Sequence, residues 1–181
     1  MGFLSRLTGG RPAQIEDAER IYQAVMRQSR QKRFFGAGRI ADNYDGRIDF
    51  LTLHIAIVFK ALRAFPEGSQ QKNAKLLSQA IFDVMKDDFD IALREEGLSD
   101  KGVSKRIKPI MQFFYGRLKQ YDDAISQDQN GDALEAALTR GLLAESDESF
   151  IQEVIAYINN FDRALKGQSL AFIAQAKFAE S

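Results

Sequence analysis

The chain has 181 residues, and its 25 basic side chains balance 25 acidic ones, which gives a formal net charge of zero. With 45% hydrophobic residues, a chain of this length can bury a sizeable core as one domain. Cysteine is absent and His54 is the single histidine, which excludes disulfides, Cys-type zinc sites and multi-histidine metal centres. The neutral total hides an asymmetry, because residues 1–121 carry a charge of +7 and residues 122–181 carry −7. Such a division indicates charged partners or charge pairing within the chain.

The apolar periodicity is helical almost throughout, with hydrophobic residues three and four positions apart. The predicted helices run approximately over 15–35, 49–65, 71–96, 109–126, 132 onward and 146–165. Residues 36–47 are predicted to form a loop, and Pro109 is predicted to open a helix because proline is tolerated in a first turn. The pattern predicts an all-α, single-domain bundle of six or seven helices over residues 13–181, preceded by a flexible N-terminus at 1–12.

The location of the protein is predicted from what the sequence lacks. No stretch approaches the roughly 20 apolar residues that a membrane span needs, and the first ten residues lack the apolar core of a signal peptide. We therefore expect a cytoplasmic protein. Phe3, Leu4 and Leu7 beside Arg6 leave a second interpretation open, peripheral contact with the inner face of the cytoplasmic membrane, although a frayed terminus is favoured.

Two patterns that imitate ligand sites fail on their context. The segment from Gly36 to Ala41 matches G-x-G-x-x-A, but a dinucleotide fingerprint needs a strand before it and a helix after it, and here a basic helix precedes it. Asp83 and Asp87 have the spacing of a one-face carboxylate pair, but no second acidic motif accompanies them. We predict a helix-ending loop and a solvated acidic face, with no cofactor and no metal.

His54 is the remaining candidate for catalysis. It lies on a mostly apolar helix, one turn from Phe50 and one turn from Val58. Catalysis would require a positioned nucleophile or a carboxylate partner at a suitable spacing, and the sequence offers neither. A hydrogen-bonded histidine in the core or in a groove is the favoured interpretation. We therefore predict no catalytic residues and no enzymatic activity.

A run of positive charge distinguishes the region between residues 20 and 41, which has no acidic residue. Its six cations are Arg20, Arg27, Arg30, Lys32, Arg33 and Arg39. Two interpretations stay open: this segment contacts RNA phosphates or anionic lipid headgroups, or it pairs with the acidic C-terminal third.

An aromatic triplet, Phe113-Phe114-Tyr115, lies in the helix predicted after Pro109, and most of it must be core. Gly116 follows it directly. A glycine in a helix interior costs about 1 kcal/mol relative to alanine, so we expect the close approach of another backbone at this position.

Four blocks of residues carry a family resemblance. They are Asp45-Gly-Arg47-x-Asp49 with Leu53-His54, Phe82-Asp83-x-Met85-x-x-Asp88-Phe-Asp90-x-x-Leu93-Arg94-Glu95-x-Gly97, Asp100-x-x-Val103-x-Lys105, and Phe114-Tyr115-Gly116-Arg117-x-x-x-Tyr121-x-x-Ala124. Over about residues 22–126 the chain resembles the ubiquinol–cytochrome c chaperone family, whose members are assembly factors for the cytochrome bc1 complex. It looks like a compact bacterial member.

The resemblance implies a non-enzymatic chaperone that holds newly made cytochrome b, or another bc1 subunit, until assembly proceeds. Mitochondrial members meet cytochrome b near the ribosome and work with a small partner protein, so these are further expected partners, and no DNA is expected. The candidate partner-binding residues are the polar and aromatic motif positions Arg47, Asp49, His54, Asp88, Arg94, Glu95, Tyr115, Arg117 and Tyr121. For Asp88, Arg94 and Glu95, a polar network that fixes helix register is an equal alternative. The alternative function is a ribosome- or RNA-binding module that uses the segment from Arg20 to Arg39.

Overall fold

A computed structural model describes residues 13–127 and 132–179, so the predicted flexible N-terminus at 1–12 lies outside the described residues. The described residues form seven α-helices, which are α1 Ala13–Ser29, α2 Tyr44–Arg63, α3 Ser69–Glu95, α4 Asp100–Gln127, α5 Asp132–Thr139, α6 Glu148–Leu165 and α7 Leu170–Ala174. Short 3-10 turns follow α1 at Lys32–Phe34 and α7 at Lys177–Ala179. The prediction of an all-α bundle is confirmed.

Helix α2 is the centre of the bundle. Every residue from Ile48 to Val58 is buried, because α1, α3, α4 and α6 all pack against it. A helix that is apolar around most of its circumference reaches a low free energy only when it is enclosed in this way. Of the three polar residues within this stretch, two bind a carbonyl one turn earlier: the Thr52 hydroxyl donates to the Ile48 carbonyl at 2.7 Å, and the Nδ1 atom of His54 is bound to the Phe50 carbonyl.

Two helix boundaries differ from the prediction. Helix α1 ends at Ser29, before the aromatic pair, and Phe34 enters the core from the separate 3-10 turn. Helix α2 begins at Tyr44 rather than near Asp49, because the Asn43 side chain accepts a hydrogen bond from the Gly46 amide at 2.9 Å and caps the first turn. Because the residues around Asn43 are mostly polar, they were predicted to lie in a loop, and the start of α2 was not recognised.

The prediction that a helix begins at Pro109 is wrong. Helix α4 begins at Asp100 and contains Pro109 in its interior. The Ser99 carbonyl accepts from the Val103 amide at 2.8 Å, so the helix starts well before the proline. Proline removes one backbone hydrogen bond, and this loss is offset here by the burial of Val103 and Ile110 on either side. The basic run 101–108 is therefore helical.

The glycine-containing loop after α1 is docked against the start of α6. The Asp147 amide donates to the Gly38 carbonyl at 2.8 Å, and Gly38 has a φ of 68°. A Cβ at this position would lie 2.1 Å from the Asp147 carboxylate, so a side chain here would displace that carboxylate and would be strained at this φ. The segment is a helix-ending loop, as predicted. Within the described ranges, no helix combines the length and hydrophobicity needed to cross a membrane.

Candidate functional site: polar joints and an exposed aromatic surface

A buried polar network joins α2 to α4. The Nε atom of Arg117 donates to Oδ1 of Asp49 at 2.6 Å, and the Tyr121 hydroxyl donates to the same oxygen at 2.7 Å. A terminal nitrogen of Arg117 donates in turn to the Tyr121 hydroxyl oxygen at 2.7 Å, which closes a triangle. The side chains of Asp49 and Arg117 are only 9% and 14% exposed, so the three groups depend on one another rather than on water.

The surroundings of this triangle hold Arg117 in place. The Gly141 backbone lies so close that a Cβ there would be 2.5 Å from a guanidinium nitrogen of Arg117. Burial raises the pKa of Asp49, and the hydrogen bond and charge of Arg117 oppose that effect. Burial also raises the pKa of Tyr121 well above its usual value, so this hydroxyl keeps the proton that it donates to Asp49. The network therefore works as a fixed joint between two helices.

His54 lies in a second joint, between α2 and α6. Its Nδ1 atom is 2.7 Å from the Phe50 carbonyl, which can only accept, so Nδ1 carries the proton. Its Nε2 atom then accepts from the Tyr157 hydroxyl at 2.8 Å. Burial lowers the pKa of His54 to about 4 and raises the pKa of Tyr157 to about 12, so both side chains are neutral at pH 7. The prediction of a hydrogen-bonded core histidine is confirmed.

The acidic motif on α3 contains a third joint. The Tyr22 hydroxyl on α1 donates to Asp88 at 2.8 Å, while Glu95 lines an open groove between the same two helices. Arg94 binds Asp90 and Asp100, each at 2.5 Å, and so ties the end of α3 to the start of α4. Asp88 and Arg94 thus have partners within the chain.

The remaining two candidate residues lie at the surface. Arg47 pairs with Asp42 at 2.6 Å and stacks over Phe35. Tyr115 is 52% exposed, and its ring centre is 5.4 Å from that of Phe82 on α3. The candidate residues therefore do not converge on one site: some connect helices, and Tyr115 faces solvent.

Gly116, next to Tyr115, is exposed, and apart from its two chain neighbours and the backbone of its own helix, no heavy atom of the described chain would lie within 4 Å of a Cβ added to it. The expected approach of another backbone therefore does not come from the described chain.

The six cations between residues 20 and 39 are distributed over several neighbours. Arg20 binds Asp17 and the Ala174 carbonyl, each at 2.8 Å. Arg33 lies over the ring of Phe34, and Arg39 lies over that of Phe150. The other three, which are Arg27, Arg30 and Lys32, are exposed. Within residues 13–127 and 132–179, none of the six forms an ion pair with the acidic C-terminal third.

Carboxylates and histidine do not gather into a metal centre in the described residues, where no group of three or more is placed to hold an ion. Asp83 instead accepts from the Gln79 amide at 2.9 Å on the outside of α3.

Two residues of these joints were missed by the sequence reasoning. Tyr157, the partner of His54, carries a hydroxyl on the otherwise apolar side of α6. A single polar group among apolar residues could have indicated a buried hydrogen bond. Gly141 lies in a short turn after α5, and its contact with Arg117 joins positions far apart in the chain, so no local pattern could have indicated it.

The all-α bundle and its sequence are similar to known proteins. The model of the ubiquinol–cytochrome C chaperone family matches residues 37–180. The crystal structure of the Cbp3 homolog from Brucella abortus is similar, with a TM-score of 0.69 and 30% sequence identity over 91% of this chain and 88% of that chain. No curated protein sequence matches significantly. The chain belongs to the ubiquinol–cytochrome c chaperone family.

The family match covers the acidic C-terminal third, in which the sequence reasoning recognised no motif. It begins at residue 37, so five of the six cations of the basic segment precede it. Arg39 is the exception.

Proposed function

We propose that this protein is a non-enzymatic assembly chaperone for the cytochrome bc1 complex and that it binds newly made cytochrome b through an apolar and aromatic surface. The observation that carries the proposal is the family match over residues 37–180. The similarity to the Brucella abortus Cbp3 homolog over most of both chains supports it.

The chemistry of the site supports a binding role rather than a catalytic one. Both ring nitrogens of His54 are engaged, and its pKa near 4 leaves it unprotonated at neutral pH. Asp49 is held between Arg117 and Tyr121. Tyr115, in contrast, offers an aromatic ring to solvent, and an amphipathic aromatic side chain suits a partner that is itself apolar.

A deletion strain of the native organism tests the proposal. We expect a loss of assembled bc1 complex and of its cytochrome b haem absorbance, with other haem proteins unchanged, and recovery when the wild-type gene is returned. Affinity purification of the tagged chain from native membranes after crosslinking should enrich cytochrome b. Normal bc1 content in the deletion strain would contradict the proposal, and enrichment of a different bc1 subunit would redirect it to that subunit.

The second candidate function is binding to RNA or to the ribosome, and one observation favours it. The side chains of Arg27, Arg30 and Lys32 are exposed and form no hydrogen bond or ion pair within the described ranges, so they are available to phosphates. RNA binding through these residues should weaken steeply with salt and be lost when all three are replaced by alanine. Retention of bc1 assembly in that triple variant would separate this function from the first one. The resemblance to mitochondrial members also suggests a small partner protein. It would be found in the crosslinked affinity purification used to test for cytochrome b.

The client also suggests where the protein works. A chaperone for a membrane protein meets its client at the membrane surface, so we place it in the cytoplasm at the inner face of the cytoplasmic membrane. Fractionation of cells with and without cytochrome b synthesis tests this location, because the membrane-bound share should fall when the client is absent.

A further inference from the structure

We propose that a cleft between two helix connections binds an amphiphile, an acyl chain that carries an anionic head group. The cleft lies between the connection from α2 to α3 and the connection from α6 to α7, and we call it the connection cleft. It encloses about 570 Å³, within the range of about 300–1,000 Å³ that is usual for small-molecule sites. None of the nine candidate partner-binding residues lines it, so this inference does not depend on the proposed function.

The first step is how the chain forms the connection cleft. Helix α2 ends at Arg63, shortly before Pro66, and α6 ends at Leu165, before Gly167, whose φ of 73° turns the chain toward α7. Between the two helices, the Lys60 ammonium donates to both carboxylate oxygens of Asp162 at 2.9 Å each. This pair ties α2 to α6 where both helices line the cleft, so the two turns beyond it stay side by side.

The second step is the apolar wall of the cleft. Phe65 and Leu170 are half-buried and pack against the core. The six apolar lining residues are Ala61, Ala64, Phe65, Pro66, Leu165 and Leu170. Covering apolar surface of this kind gains about 25 cal/mol per Å². A protein partner needs about 20–30 residues on each side, far more than this wall supplies, so a small apolar ligand is the better match.

The third step is the polar edge, which residues 166–169 supply. The Lys166 side chain is exposed and forms no hydrogen bond or ion pair within the described ranges. Lys60 and Asp162 neutralise one another, so the charged lining residues leave one net positive charge, that of Lys166. A free cation at the edge of an apolar wall complements an anionic group at the end of an apolar chain.

Other charged residues near the cleft keep this sign. Those within two positions of a lining residue along the chain are Arg63, Glu67, Lys72 and Arg163. Arg63 is paired with Asp122, and Glu67 is the single acid among the other three. The surroundings therefore add to the positive charge of Lys166. The apolar wall argues against RNA, because a sugar–phosphate chain would find no hydrogen-bond partners along it.

The test fills the connection cleft and measures binding by the purified full-length chain. Calorimetric titration with sodium decanoate presents the amphiphile as a free acid, and co-sedimentation with phosphatidylglycerol vesicles presents it as a membrane lipid. Ala64→Phe fills the cleft, and the matched control is Ala144→Phe at an exposed alanine outside it. We expect at least about a tenfold rise in Kd for Ala64→Phe, since excluding two methylene groups forfeits about that much, and less than about a twofold change for the control. Thermal scans should place the Tm of both variants within about 2 °C of wild type, which separates binding from folding.

A charge variant tests the polar edge. Lys166→Gln should raise the Kd for decanoate about two- to fivefold, because an exposed charge pair contributes modestly. It should leave the Kd for decan-1-ol unchanged, since this probe has the same chain without the charge.

The two probes distinguish the sources of the ligand. Decanoate binding that Ala64→Phe weakens would support a free fatty acid, and vesicle binding that the same variant weakens would support a membrane lipid. Equal affinities of Ala64→Phe and Ala144→Phe for both probes, or no binding of either probe by wild type, would overturn the inference. An equal loss of decanoate and decan-1-ol in Lys166→Gln would contradict the anionic head group. No arm measures bc1 assembly, so failure here would leave the proposed function intact.

Discussion

The inward and outward faces of α4 use neighbouring residues for different purposes. On the inward face, Phe114 fills the core, and Arg117 and Tyr121 bind Asp49 within 2.7 Å. On the outward face, Tyr115 is half exposed and Gly116 has nothing above it. Except for Asp49, these six positions belong to one continuous sequence motif, so a single motif contains both a structural joint and an exposed surface.

This difference indicates which motif residues can be substituted to test binding without also disturbing the fold. Changing an inward residue disturbs the fold, so loss of function in such a variant does not identify a contact with a partner. Changing an outward residue leaves the helix joints intact, so any loss can be assigned to binding. Substitutions on the inward face should therefore cost more stability than substitutions on the outward face.

The largest effect is expected for Asp49→Ala. It leaves the Arg117 guanidinium largely buried without its carboxylate, and we expect a loss of about 3–5 kcal/mol in the free energy of unfolding, measured with urea. Replacing both partners, as in Asp49→Leu with Arg117→Met, should cost less than removing Asp49 alone, because no unpaired charge remains. A single variant within 1 kcal/mol of wild type would show that the triangle is not a structural joint.

Gly141→Ala should be the next most damaging change. The added methyl group would lie 2.5 Å from a guanidinium nitrogen of Arg117. Either the turn must shift, or the guanidinium must move away from Tyr121 and Asp49. We expect a loss of about 1–3 kcal/mol in urea unfolding. Gly116→Ala on the opposite face is the matched comparison and should stabilise the protein. If both alanine variants shift stability in the same direction, the contrast between the two faces of α4 fails.

Acidification should weaken the joint between α2 and α6 at His54. Its pKa is about 4 in the folded protein and 6.5 in the unfolded chain, so below pH 6.5 the unfolded chain binds the proton first. The stability present above pH 6.5 is therefore lost progressively as the pH falls toward 4. Between pH 7 and pH 5.5 this one group should remove about 1 kcal/mol.

The matched measurement is the same pair of urea titrations on His54→Gln, which lacks the titrating ring. In His54→Gln, the free energy of unfolding should fall between pH 7 and pH 5.5 by about 1 kcal/mol less than in the wild type. An unchanged pH dependence in His54→Gln would mean that other groups cause the loss.

The smallest effect is expected for Lys119→Ala on the outward face. Its partner Asp123 is one helical turn away, and their side chains are 76% and 51% exposed. An exposed pair of this kind contributes little to stability, so the Tm should move by no more than about 2 °C in a thermal scan. A larger drop would indicate that the outward face also contributes to the fold.

Much of the fold was predictable because helix periodicity is a local property. The stripes of α1, α3 and α6 and the fully apolar course of α2 indicated an all-α bundle, and the favoured role of His54 followed from its apolar neighbours on the same helix. The boundaries near Asn43 and Pro109 were not predictable from the residue types alone. A capping side chain and the burial of Val103 outweighed the loop-like composition and the helix-breaking proline.

The sequence by itself determined the class of the protein: the family motifs, the absence of cysteine and the helical periodicity are all properties of the linear chain. Tertiary structure decided the role of each motif residue. It buried Asp49 beneath Arg117, brought Tyr157 to His54, directed Gly141 against a guanidinium and left Gly116 open. The reason is physical, since burial and pairing depend on residues that are distant along the chain. The charge balance of the chain has the same limit, because the sequence locates the change of sign but only the folded chain determines which charges meet.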